Sequence, residues 1–246
     1  MIRAIAVAFC IVAAPVAYAA DAQKIAAAIP EIDRLFADFQ VDSRAPGLVY
    51  GIVADGKLVH VKGLGVQDLV HKRAVTPDSL FRIASMTKAF TALAILKLRD
   101  EGKLGLDDLA ETHVPEMRGW TYPTKDSPRI RIRDLLTHSA GLVDDNPWGD
   151  RQTPLPEADF TRMLQTGVPF STTPGTRYEY SNFGYALLGR IIANVSGQPY
   201  RRYVEGRLLA PLGMASSGYQ VSDWPVERRA MGYRWEEGRW TVEPTM

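Results

Sequence analysis

The sequence predicts an α/β protein of the α+β type, with an antiparallel sheet whose two halves flank a helical region. Three observations carry this reading. An apolar, β-branched run at 47–54 is followed across Asp55-Gly56 by a second run at 57–64. A similar pair at 233–242 surrounds Glu237-Gly238. Between them lie only helical spacings and Pro/Gly-rich loops, and strands, then helices, then strands is the order of a segregated architecture.

The elements follow in chain order. Met1-Ile2-Arg3, an apolar run over 4–16 and the small-x-small site Ala17-Tyr18-Ala19 have the layout of an export signal cleaved before Ala20. The run is about 13 residues, short of the roughly 20 that span a bilayer. An exported protein, periplasmic or secreted, is expected, with 1–19 as the signal and 20–246 as one domain. Cys10, the one cysteine, lies inside the signal, so the mature chain has no disulfide and no thiol nucleophile. Ile29, Ile32, Leu35, Phe36 and Phe39 repeat at helical spacing and predict a helix over 27–40 despite Pro30. Asp55-Gly56 between two β-type runs is a strong hairpin signal. Residues 84–101 are apolar nearly all round (Phe90, Leu93, Ile95, Leu96, Leu98), which predicts a helix buried in the middle of the domain. Shorter helices are expected at 131–139, 157–166, 182–196 and 199–210. The chain stops at Met246 just after a hairpin strand, and the expectation is that it is the N-terminal part of a longer protein.

Composition narrows the function. A net charge of +1 removes the electrostatic case for nucleic-acid binding, and 46% hydrophobic with 23% charged residues describes an ordinary folded domain. His60, His71, His113 and His138 show no metal-ligand spacing, so neither metal nor cofactor is expected. Gly51 to Lys57 resembles a phosphate-binding loop, but Leu58 stands where Ser or Thr must reach magnesium and the Gly-Lys pair sits in a hairpin. No G-x-S-x-G elbow surrounds any serine.

One pair of motifs carries chemistry. Ser85-Met86-Thr87-Lys88 opens the most apolar helix, and a spacing of three puts hydroxyl and amine on one face, one turn apart. Serine attacks a carbonyl only once a neighbouring base takes its proton, and Lys88 is placed to be one. The helix N-terminus adds backbone N–H groups suited to a developing oxyanion. Tyr180-Ser181-Asn182 ends a Pro/Gly-rich loop just before a helix. With 11 Ser, 8 Lys, 10 Tyr and 3 Asn, chance gives roughly 0.4 S-x-x-K and about 0.1 Y-x-N matches, so the joint occurrence is informative.

With these motifs the chain resembles the class C β-lactamase-like serine hydrolases. The segment from Thr76 through Ser85 and Lys88 is similar to that family's nucleophile region. Leu135-Leu136-Thr137-His138-Ser139-Ala140-Gly141-Leu142 and the stretch from Pro174 to Tyr185 are similar to its next two landmarks. The resemblance implies a β-lactamase/transpeptidase-like fold and an acyl-enzyme on Ser85. It implies that Lys88 and Tyr180 share proton handling, and that Asn182 bonds Lys88 and the substrate amide. Implied substrates are a β-lactam, a D-amino-acid peptide or a small ester. The alternative is a non-catalytic sensor that binds β-lactam or cell-wall peptide. The family's third motif, K-T-G or H-x-G, does not occur in the chain.

Overall fold

The structure, a computed structural model, describes residues 21–145 and 155–243. The signal-peptide reading of residues 1–19 therefore lies outside the described residues. Two units form: residues 21–79 with 227–243, and residues 80–226.

In the first unit, α1 (Ala22–Asp42) starts earlier than its apolar spacing suggests, because the Asp21 carboxylate accepts from the N–H groups of Gln23 and Lys24. That cap satisfies donors a helix start leaves orphaned. β1 (Gly47–Ala54) and β2 (Lys57–Gly65) pair antiparallel through the expected hairpin, with a bulge after Ile52. Asp55 and Gly56 both take positive φ (48° and 73°), the requirement of the tight turn whose twist matches the strands. Glu237 and Gly238 do the same between β3 (Tyr233–Glu236) and β4 (Arg239–Val242).

Both hairpins belong to this unit, as a sheet with separated halves requires, but each ladder is two-stranded. The chain leaves the first ladder at Gly65 (φ 68°) and turns through residues 66–75, and single bonds join this turn to the second hairpin and the residues just ahead of it. These are Met231 N–H to the Gln67 carbonyl at 2.8 Å and Leu69 N–H to the Tyr233 hydroxyl at 2.9 Å.

α1 is fastened to the first hairpin by a stacked Phe36–Tyr50 pair (centroids 3.9 Å) and by Asp33. Asp33 meets Lys62 Nζ at 2.6 Å, His60 Nε2 at 2.9 Å and the Tyr50 hydroxyl. Hydrogen bonds from Lys62 and then Tyr50 hold its carboxyl down to about 2. A carboxyl depressed below its unfolded value of about 3.9 stabilises fully above that value and loses the contribution as pH falls through the folded pKa. Asp33→Asn is therefore expected to lower Tm at pH 5–7, and the gap to wild type to shrink as pH falls through about 2. A Tm gap that stays constant across this range would show that the carboxylate charge is not what fastens α1.

The second unit is helical. Its elements are α2 (Thr87–Asp100), α3 (Ala110–His113), α4 (Ile132–Leu136), α5 (Glu157–Thr166), α6 (Asn182–Ser196) and α7 (Tyr200–Val204). The last runs on into a wider π turn, Glu205–Leu209. α2 packs on α6, as does α4. The core joins Ile95 and Leu98 of α2, Ile132 and Leu135 of α4, Leu187, Leu188, Ile191 and Ile192 of α6, and Tyr203 of α7. Each such side chain stabilises by about 1.5–3 kcal/mol when fully buried.

α2 is less buried than its apolar sequence predicts. Only Thr91, Ala94, Ile95 and Leu98 are buried, one stripe, while Leu93 is 41% exposed and Met86 66%. The stripe has the i, i+3, i+4, i+7 spacing of a single packed face against α6, so apolarity on the remaining faces did not mean burial there. No described helix is long and apolar enough to cross a membrane.

Candidate active site

Ser85 sits not in α2 itself but in a 3-10 turn, Ala84–Met86, that leads into it. Ala84 has φ 43°, a left-handed conformation uncommon outside glycine and one found at functional turns. In a 3-10 turn, side chains three apart eclipse. Lys88, in the first turn of α2, accordingly donates to Ser85 Oγ at 3.1 Å. Ser85 is exposed and Lys88 half-buried, so solvent reaches the hydroxyl while the amine behind it is partly shielded.

The second pair comes from the start of α6. Ser181 is its N-cap, buried, with its hydroxyl accepting from Gly184 N–H at 3.0 Å. Ser181 is extended (φ −139°, ψ 118°), and in extended backbone alternate side chains share a side. With Ser181 turned inward, Tyr180 and Asn182 project together toward Ser85 and Lys88. The Tyr180 hydroxyl lies 2.6 Å from Ser85 Oγ, and Lys88 Nζ donates to Asn182 Oδ1 at 2.5 Å. Lys88 Nζ also stands 4.7 Å from the centre of the Tyr180 ring, within cation–π range. All four residues named from the sequence thus meet in one hydrogen-bonded group, although 95 residues separate Ser85 from Tyr180.

Two further residues hold this group: His138, which lies in the Leu135–Leu142 landmark with no role attached to it, and Asp145, which lies in none of the motifs. Asp145 accepts from the backbone N–H groups of Asn182 and Phe183, both at 2.7 Å, at the positive end of α6. His138 accepts from Ser181 N–H at 3.0 Å. Both act on backbone donors 37 and 43 positions away in sequence, where residue-type spacing has nothing to read. Asp145→Ala removes two charge-assisted acceptors and is expected to cost about 1–2 kcal/mol in urea unfolding. Because Asn182 is one of the two donors, activity per folded molecule falls as well. Loss of stability with unchanged activity would separate the cap from the site.

The other histidines are occupied elsewhere. His60, His71 and His113 each face a carboxylate, those of Asp33, Asp68 and Asp108. No cluster of His, Cys, Asp or Glu among the described residues is arranged to hold a metal.

The family model described as Beta-lactamase matches residues 32–246. Protein flp of Staphylococcus aureus (strain COL) is 36% identical over 205 residues, covering 82% of this chain and 41% of that protein. Among solved structures, the octameric penicillin-binding protein homologue from Pyrococcus abyssi superposes with a TM-score of 0.73 at 31% identity, covering 88% of this chain and 50% of that one. A class C β-lactamase also gives 0.73, at 26% identity, covering 88% and 57%. The chain spans less than half the length of that Staphylococcus aureus protein.

Proposed function

The chain belongs to the β-lactamase family, and from that premise we propose that it forms an acyl-enzyme on Ser85 with a carbonyl substrate and then hydrolyses it. The observation that carries the reading is the single hydrogen-bonded group of Ser85, Lys88, Tyr180 and Asn182. A hydroxyl touched by two proton-handling groups, and exposed to solvent, is built for attack rather than for packing.

In the proposed reaction, Ser85 Oγ bonds to the carbonyl carbon while its proton leaves along the contact to Tyr180 or Lys88. The carbonyl oxygen gains negative charge opposite the backbone N–H of Ser85. The same proton then passes to the departing amine or alkoxide as the carbon–heteroatom bond breaks. Water repeats the sequence in reverse and frees the serine. Asn182 Oδ1 fixes the amine, and its amide N–H₂ remains to bond a substrate carbonyl.

The substrate class proposed is an amide or ester: a β-lactam, a D-amino-acid peptide or a small ester. The apolar run and Ala17-Tyr18-Ala19 at the start support a protein working outside the cytoplasm. The test offers the protein a labelled penicillin, a D-Ala-D-Ala peptide and p-nitrophenyl butyrate, with intact mass and turnover as readouts. An adduct on Ser85 with steady turnover of at least one is expected. A stoichiometric burst with no turnover supports the sensor reading instead, and absence of any Ser85 adduct, even with a fluorophosphonate, rejects both.

A further inference from the structure

We propose that His138 is a positioning residue of this site, holding the Tyr180 phenol against Ser85 from both sides of the Tyr180 backbone. The inference rests on the functional reading above. It concerns a residue whose spacing in sequence gave it no role.

Backbone and ring contacts converge on His138. Its carbonyl accepts from Glu179 N–H at 2.7 Å, and its Nδ1 accepts from Ser181 N–H at 3.0 Å. These are the two residues that flank Tyr180, so the backbone N–H of each of the tyrosine's neighbours is tied to one histidine. The imidazole also stacks on the Tyr180 ring, with centroids 4.6 Å apart and planes 27° apart. Tyr185 packs beside it at 5.0 Å, itself anchored by its hydroxyl on the Leu136 carbonyl at 3.0 Å.

The backbone of His138 says the same. It has φ 56° and follows the C-cap Thr137 of α4, a position where the left-handed conformation is ordinary for glycine. A glycine there would keep the turn but supply neither the ring nor the Nδ1 acceptor, both of which are used. Nδ1 accepts only while unprotonated, so the ring proton belongs on Nε2. The groups facing the ring are Lys88 from α2, Asp144 and Asp145 from the segment after α4, and Tyr178, Tyr180 and Tyr185 from the loop and first turn of α6. Burial and then the Lys88 charge lower the histidine's pKa against the opposing pull of Asp145 and Asp144, which keeps the acceptor available at neutral pH.

Two substitutions divide the role. His138→Phe keeps a ring on Tyr180 and removes the Nδ1 acceptor; His138→Asn keeps a short acceptor and removes the ring. Misplacing a reacting group by about 1 Å costs on the order of 10²-fold. Each variant is therefore expected to acylate Ser85 with a fluorophosphonate about 10- to 100-fold more slowly per folded molecule. With p-nitrophenyl butyrate the loss falls on kcat while KM changes little.

The second measurement needs no variant: ¹⁵N NMR of the wild-type imidazole at pH 7 is expected to show an unprotonated Nδ1. Variants with lower Tm but wild-type acylation rates overturn the proposal, and so does a proton on Nδ1. Where a variant fails to fold, the wild-type tautomer decides. If wild type itself does not react at Ser85, it is the functional reading that falls. His138 is then judged by the tautomer and by the shift of the Tyr180 ring resonances in His138→Asn.

Discussion

Ser85→Ala is expected to abolish covalent labelling by fluorophosphonate or labelled penicillin and to lower turnover by about 10⁶-fold. A nucleophile has no partial substitute: Lys88 and Tyr180 remain in place, but in the proposed reaction each moves a proton that alanine does not carry. The magnitude follows from losing a covalent route altogether, since the residual rate comes only from binding and oxyanion donors. Stability should change little, within about 0.5 kcal/mol, because Ser85 is exposed and water replaces its partners. Labelling that persists at another serine would move the nucleophile off the 3-10 turn and dissolve the role given to Tyr180.

Lys88→Arg is expected to fall nearly as far as Lys88→Ala, by about 10³-fold or more in kcat/KM. The amine is a compact head that reaches Ser85 Oγ, Asn182 Oδ1 and the face of the Tyr180 ring at once. A guanidinium is longer and planar, so it cannot make those three contacts in the same volume, and it does not release its proton in proteins. Charge alone would survive the substitution; geometry and proton exchange would not. Near-wild-type kcat/KM in Lys88→Arg means that Lys88 only balances charge. A Tm measurement alongside keeps misfolding apart from lost chemistry, because Lys88 is half-buried.

The parts legible in sequence were those with short periods. α5 and α6 begin and end where their apolar spacing and flanking loops place them, and both hairpins turn on the expected dipeptides. Ser85 and Lys88 were readable because a spacing of three on a helical turn is already a contact. Tyr180 and Asn182 were readable only as a second motif, since nothing within the Y-x-N triplet says that it meets a turn 95 residues earlier.

Two kinds of residue stayed hidden. Asp145 and His138 bind backbone N–H groups, which every residue but proline has, so the partner leaves no trace in composition. The exposure of Leu93 and Met86 was missed because an apolar residue type records what a position tolerates, not which neighbour is present. Asp21, a capping residue type, sets the start of α1 ahead of the apolar repeat that begins at Ile29.

The distance along the chain between the two halves of the site has a kinetic meaning. Each helix can form locally and early, whereas closing a loop of some ninety residues waits on long-range collapse. Until α6 docks on α2, Ser85 has Lys88 beside it but neither the Tyr180 phenol nor the Asn182 carbonyl. A nascent or partly unfolded chain thus carries an ordinary serine. On the proposed function, reactivity is acquired in the same event that completes the helical core, and covalent labelling of Ser85 is expected to serve as a clock for the last stage of folding.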